Sequence, residues 1–378
     1  MSKRYCIFLS ALFCAFLGVF LVAGAVMPDR TFSQIENREL AQLPTPTVKT
    51  VLDGTFMSNF ETYTVDQFPG RDAWMDLKAR TERAMGKQEN NNVYFCKEDT
   101  LITRFDAPDQ QLLTTNLGYV DQFAQKAGVP VYFSLIPGAA DIWSDRLPEG
   151  APNASQKAVI DQAASTLKNV QIYDTYSVMS AHSGEDIYYR TDHHWTSLGA
   201  YYGYTALMEA LGMTPVPMSN YTKTTVSEDF YGTIYSSSGV RWVKPDVIDT
   251  YVPDTGITVV SHTYDSKGNP VEEPRSLYDT SFLSVKDKYS MFLGGNQALG
   301  VVTTPHTDAP KLLIIRDSYT DSMVPFLTAH FSEIHLIDPR YSKISVADYI
   351  AEHDIDEALV LYSVSNFATD KNLVWISR

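Results

Sequence analysis

Apolar and polar positions divide the chain into three stretches. From Tyr5 to Met27 the residues are predominantly apolar and uncharged, and roughly 20 such residues suffice to cross a bilayer. Residues 28–60 follow no period and read as an irregular arm. Asp66-Gln67-Phe68-Pro69-Gly70-Arg71-Asp72 then breaks the chain, and Ala73 to Lys87 returns to helical spacing. Beyond Val93-Tyr94-Phe95-Cys96 and Leu101-Ile102, which read as a short hairpin, buried runs alternate with amphipathic ones. The helices expected are Asp109 to Ala127, Ser155 to Lys168, Thr196 to Leu211, Tyr319 to His330 and Ile344 to His353. The strands expected are Val129 to Ile136, Val170 to Tyr173, Lys311 to Arg316, Ile334 to Ile337 and Ala358 to Tyr362. Thr196 suits a helix N-cap and Gly212 a helix stop.

Five buried strands separated by helices predict an α/β fold: a three-layer α/β/α sandwich around a parallel central sheet. Residues 214–308 interrupt that rhythm. They are rich in Thr, Ser, Tyr and Val, with a turn at Asp265-Ser266-Lys267-Gly268-Asn269-Pro270, and read as a β-rich insertion. The expected organisation is therefore a signal peptide or membrane anchor over 1–27, an N-terminal arm and helix over 28–90, and an α/β domain over 91–378.

In open α/β sheets ligands bind beyond the carboxyl ends of the strands. Ser318 lies just past one such end, in Leu312-Leu313-Ile314-Ile315-Arg316-Asp317-Ser318-Tyr319. A serine at a strand-to-helix turn is exposed near a helix N-terminus, where developing negative charge is favoured; the same position suits a plain N-cap. Its partners are sought in Tyr188-Tyr189-Arg190-Thr191-Asp192-His193-His194-Trp195. Asp192 and His194 are two apart and share a side of an extended or turn backbone. The carboxylate would orient the imidazole, and the imidazole would deprotonate Ser318. Two other readings compete: a cluster of structural histidines, and a metal site using Asp192, His193, His194 and His182. Histidines at adjacent positions point apart, which disfavours the metal, and His193 reads as structural.

Gly294, Gly295 and Asn296 offer bare amides and an amide side chain, and Gly295 and Asn296 with the Ser318 amide are candidates for an oxyanion hole. A plain glycine turn explains them equally well. Arg340, in Asp338-Pro339-Arg340-Tyr341 at the same sheet edge, would bind a substrate carboxylate or steady the loop. Tyr319 and Trp195 are further candidate substrate contacts, and Tyr362 and Asn366 end the last strand at that edge.

Charge narrows the partners. The 378 residues carry a formal net charge of −15. Setting aside Lys3 and Arg4, the rest holds 28 basic against 45 acidic residues. That excludes nucleic acid as an expected partner, since phosphate binding needs clustered cations. Cys6 and Cys14 lie in the apolar run, leaving Cys96 alone, so neither a disulfide nor a Cys-based metal site is expected in the body. Lys3 and Arg4 before the apolar run should stay cytoplasmic. Ala23-Gly24-Ala25 also fits a cleavage site. The body is expected on the extracytoplasmic face, held by a single anchor, or secreted if the leader is removed.

Asp192-His193-His194-Trp195 resembles the signature of the DHHW protein family. Glu36-Asn37-Arg38, Asp66 through Asp72, Tyr289 through Asn296, Ile315 through Tyr319 and Asp338 through Tyr341 resemble the same family. That family is similar to the SGNH-hydrolase-like domains of alginate O-acetylation proteins, whose Asp-x-His motif precedes a downstream serine. By position Asp192, His194 and Ser318 match those three residues. Here Ser318 follows Arg316-Asp317, where the alginate proteins have Gly-Thr. The resemblance implies a serine-dependent O-acetyltransferase or acetylesterase acting on a cell-surface or secreted polysaccharide. No metal or organic cofactor is required, and a membrane-bound acyltransferase partner is implied as the acetyl source. The alternative is a catalytically inactive carbohydrate-binding or assembly protein of an exopolysaccharide system.

Overall fold

The computed structural model describes residues 2–252, 255–264 and 270–378. Most of the turn expected over 265–270 lies outside the described residues. Packing divides the chain into two units, one running to Asn91 and including Ser236–Trp242, the other comprising Asn92–Tyr235 and Val243–Arg378.

In the first unit a helix, Lys3–Val26, is long and apolar enough to cross a membrane, with a mean hydropathy of 2.7 over its most apolar window. The arm is more ordered than its sequence suggests. Thr47 and Thr50 form a capping box that starts a helix at Val48–Leu52. A second helix, Thr55–Asp66, ends at a buried carboxylate, and a third spans Arg71–Ala84. Arg38 donates to both oxygens of Asp66 at 2.9 and 2.6 Å, and the Ala41 amide donates at 2.9 Å. Glu36 pairs with Arg71, and Arg30 with Asp72 at 2.7 Å. The Glu36-Asn37-Arg38 and Asp66–Asp72 segments are thus one ion-paired knot. Burying Asp66 is tolerable because every charge beside it has a partner.

The second unit is built on an eight-stranded sheet. Its strands in chain order are β1 Val131–Ile136, β2 Gln171–Ile172, β3 Thr258–Tyr264, β4 Pro270–Arg275, β5 Leu299–Thr303, β6 Lys311–Arg316, β7 Glu333–Ile337 and β8 Glu357–Ser363. Their spatial order is β4-β3-β5-β7-β6-β8-β1-β2. The last five in that order are mutually parallel and coincide with the five strands expected from the buried runs. All six residues of β1 are buried, which requires cover on both faces and gives the three-layer sandwich. Helices Gln110–Lys126, Gln156–Thr166 and Ser197–Ala210 carry side caps from Asp109, Ser155 and Thr196.

The β-rich insertion joins the central sheet, because β3, β4 and β5 extend it by antiparallel pairing. Its other strands, Thr222–Phe230 and Asp246–Val252, form an antiparallel ribbon. The helix expected from Tyr319 to His330 is instead a 3₁₀ turn, Ser318–Ser322, followed by one short helical turn, Val324–Leu327. Pro325 lacks the N–H that a continuous helix would use.

Candidate active site

The segment from Ile187 to Thr196 doubles back on itself. The Tyr189 amide donates to the His194 carbonyl at 3.2 Å and the Thr196 amide to the Ile187 carbonyl at 3.0 Å, so Asp192 and His194 sit at the closed end of a tight turn. Asp246 holds that end, accepting from the amides of Arg190 and Thr191 at 3.0 and 2.8 Å and from the Thr191 hydroxyl at 2.6 Å. Ser318 opens the 3₁₀ turn at the carboxyl end of β6 and is half-buried.

These two pieces of chain, 124 residues apart, meet side chain to side chain. Ser318 Oγ lies 2.8 Å from His194 Nε2, and His194 Nδ1 lies 2.6 Å from Asp192 Oδ1. Both distances are within hydrogen-bond range. Asp192 Oδ1 also accepts the His194 amide at 3.0 Å, and Oδ2 accepts the amide and hydroxyl of Thr233 at 2.7 and 3.0 Å. Burial alone would raise the Asp192 carboxyl. The adjacent imidazoles and these hydrogen bonds outweigh it, and the group is held well below the usual carboxylate range. A permanently charged Asp192 fixes the Nδ1–H tautomer, which leaves Nε2 as the acceptor facing the serine hydroxyl. Gly232 permits this packing, since a Cβ there would fall 2.2 Å from both Cβ and Oδ2 of Asp192.

The imidazole is also held through its faces. The Tyr289 ring stacks on it with centroids 3.7 Å apart and planes within 7°, and the His193 ring lies 3.8 Å away. His193 itself contacts Thr233 Oγ1 through Nδ1 at 2.6 Å and is part-exposed. Asp192, His193 and His194 bring their ligand atoms within 4.8 Å of one another, close enough for a cation. Each His194 nitrogen is already in a hydrogen bond, so a metal there would have to break the row. His182 is elsewhere, 2.7 Å from Glu185 and stacked on Tyr202.

Asp317 does not leave a free charge beside Ser318. Its Oδ2 accepts the amide and hydroxyl of Ser363 at 2.9 and 2.8 Å and the Asn366 amide group at 2.8 Å, and its Oδ1 accepts the Tyr319 amide at 3.1 Å. It staples the end of β6 to the end of β8.

Three proposed substrate contacts have other employment. Trp195 is fully buried and donates to the Tyr319 carbonyl at 2.8 Å and to Ser322 Oγ at 2.9 Å, so it supports the serine turn from beneath. Tyr319 is buried too, and its hydroxyl donates to the His193 carbonyl. Arg340 forks onto Asp338, with Nη2 at 2.6 Å and Nε at 2.9 Å; it steadies the loop. In the glycine loop Leu293, Gly294 and Gly295 all have positive φ, at 60°, 77° and 84°. The Gly295 amide donates to the Phe292 carbonyl at 3.3 Å, and Asn296 is exposed. A left-handed turn thus explains the glycines. Gly232, Thr233, Asp246 and Tyr289 were not singled out from sequence. Only Tyr289 had a signal, as the first residue of a segment resembling the DHHW family.

Residues 114–337 match the DHHW protein family. Among solved structures, a DHHW family protein from Eubacterium siraeum DSM 15702 is 29% identical with a TM-score of 0.65, over 76% of this chain and 95% of that one. Bacillus cereus PatB1, solved with a sulfonyl adduct, is 20% identical with a TM-score of 0.60, over 72% and 95% of the two chains. The O-acetyltransferase domain of Pseudomonas putida AlgJ is 14% identical with a TM-score of 0.44, over 74% and 93%. No curated protein matches the chain. With the motif residues Asp192, His193, His194 and Trp195 at the closed end of the turn that meets Ser318, the chain belongs to the DHHW protein family.

Proposed function

We propose that this protein is an exported serine-dependent O-acyltransferase or acetylesterase whose substrate is a cell-surface or secreted polysaccharide. The observation that carries the reading is the row Ser318–His194–Asp192, hydrogen-bonded at 2.8 and 2.6 Å. In it Ser318 Oγ attacks an acetyl carbonyl while its proton passes to His194 Nε2. The bond from that carbonyl to the donor oxygen breaks, and His194 returns the proton to the leaving alcohol. The acetyl group then rests on Ser318. A glycan hydroxyl or water attacks it, His194 takes the new proton, and the ester bond to Ser318 Oγ breaks as that oxygen is reprotonated. Asp192 stays ionised and stabilises the imidazolium formed in each half-reaction. The Ser318 amide, first in its turn, is the candidate donor to the oxyanion.

PatB1, whose fold this chain shares, carries a sulfonyl adduct, and a sulfonyl group is the kind of electrophile an activated Ser318 would take. The polysaccharide comes from the likeness of the motif to that of alginate O-acetylation proteins. The Lys3–Val26 helix suits an anchor or a signal segment, and an anchored transferase outside the membrane would draw its acetyl groups from a membrane-bound acyltransferase partner.

Incubation with p-nitrophenyl acetate tests the reading. Hydrolysis lost in Ser318→Ala and in His194→Ala, and unaffected by a chelator, is expected. An inert wild-type protein that binds glycan would point to a carbohydrate-binding or assembly role, and chelator sensitivity to a metal hydrolase.

A further inference from the structure

Tyr289 comes from the inserted segment, in the 3₁₀ turn Lys288–Met291, and touches both halves of the reacting pair. Its ring lies flat on His194, 3.7 Å between centroids and 7° between planes. Its hydroxyl donates to the Ser318 backbone carbonyl at 3.0 Å and lies 3.2 Å from Ser322 Oγ. It is 5% exposed, and burial pushes the phenol well above its usual range, so the hydroxyl keeps its proton as a donor.

We propose that Tyr289 is a positioning residue that sets the distance between base and nucleophile, an inference that rests on the hydrolytic reading above. Hydrogen bonds at Nδ1 and Nε2 fix an imidazole in its plane but leave it free to tilt out of it. A ring packed flat against it removes that freedom. The hydroxyl ties the same side chain to the backbone of Ser318, so the stack and the nucleophile share one anchor. When His194 takes the serine proton, the imidazolium also lies over an aromatic face, a favourable contact worth about tenfold in rate. Tyr289 touches no reacting atom and acts through His194 and Ser318.

The test compares full-length wild-type, Tyr289→Phe and Tyr289→Leu proteins in detergent, by p-nitrophenyl acetate hydrolysis and by the rate of Ser318 sulfonylation with phenylmethylsulfonyl fluoride. The sulfonylation rate constant is normalised to its own end point by intact mass, which removes any misfolded fraction. Tyr289→Leu loses both face and hydroxyl and should lose about 100-fold in kcat and in sulfonylation rate, with KM little changed. Tyr289→Phe restores the face but not the hydroxyl and should recover most of that loss, to a rate about fivefold to tenfold below wild type. Should the leucine variant fail to fold, the phenylalanine variant decides: a rate per competent molecule equal to wild type would overturn the link from hydroxyl to nucleophile. Wild-type rates in the leucine variant would overturn the positioning role while leaving the triad standing. A wild-type protein inert to both reagents would remove the hydrolytic reading and this role with it.

Discussion

The parallel half of the sheet and the segment inserted between residues 214 and 308 contribute differently to one site. The parallel half supplies Ser318 at the end of β6, and the turn before the helix Ser197–Ala210 supplies Asp192 and His194. The insertion supplies no reacting atom. It supplies Asp246, which clamps the turn, Gly232 and Thr233, which enclose the Asp192 carboxylate, and Tyr289, which lies on the imidazole. On the proposed reading the chemistry therefore sits with the parallel half and the turn it meets, and the constraint comes from the inserted segment. Substitutions should separate the two: changes in the first group abolish the reaction, and changes in the second grade it.

The largest effects belong to the reacting row. Ser318→Ala and His194→Ala are each expected to lower kcat for acetyl-ester hydrolysis by on the order of 10⁴-fold or more. Asp192→Asn leaves the shape but removes the charge that fixes the tautomer, and should cost on the order of 10³ to 10⁴ in kcat. If these variants kept near-wild-type rates, the contrast between the two regions would have no meaning.

Next in size is Gly232→Ala. Its Cβ would sit 2.2 Å from the Asp192 carboxylate, so Asp192 or the insertion must shift. A loss of about 100-fold in kcat is expected, with the protein still folded by circular dichroism. A wild-type rate would mean that the insertion does not constrain Asp192. Thr233→Val is milder. It removes the 3.0 Å hydroxyl bond to Asp192 but keeps the 2.7 Å amide bond, and a loss of about fivefold, ~1 kcal/mol, should follow.

This division explains what the sequence made legible. Hydrophobic periodicity and strand ends located the five parallel strands and put Ser318 at the right edge. The spacing of Asp192 and His194 pointed to a carboxylate beside an imidazole, and the fold brings the two within 2.6 Å. Gly232, Thr233 and Asp246 carry no such mark, because their roles arise from contacts across 40 to 56 positions of chain. The same blindness applied in reverse to Trp195 and Tyr319. Aromatic residues near a site read as ligand contacts, yet the fold had already engaged both. The arm shows it too: Arg38 and Asp66 were seen as separate motifs, and their pairing appears only when the chain is folded.

That arm gives the smallest effect on catalysis and the clearest effect of pH on stability. Hydrogen bonding to Arg38 is the main cause that holds the Asp66 carboxyl down, at about 2, below the roughly 3.9 of an unfolded chain. Its contribution is thus fully present above about pH 4 and lost as pH falls toward 2. Asp66→Asn should lower stability at neutral pH by about 1–2 kcal/mol and flatten the loss between those pH values in denaturant titrations. Hydrolysis per folded molecule should not change.

The most direct test of the central claim is to stop wild-type turnover of p-nitrophenyl acetate with acid and map the acetyl group by peptide mass spectrometry. The account expects it on Ser318, and absent from that peptide in His194→Ala. Acetate released without any acetyl-Ser318, at a rate unchanged in Ser318→Ala, would contradict it.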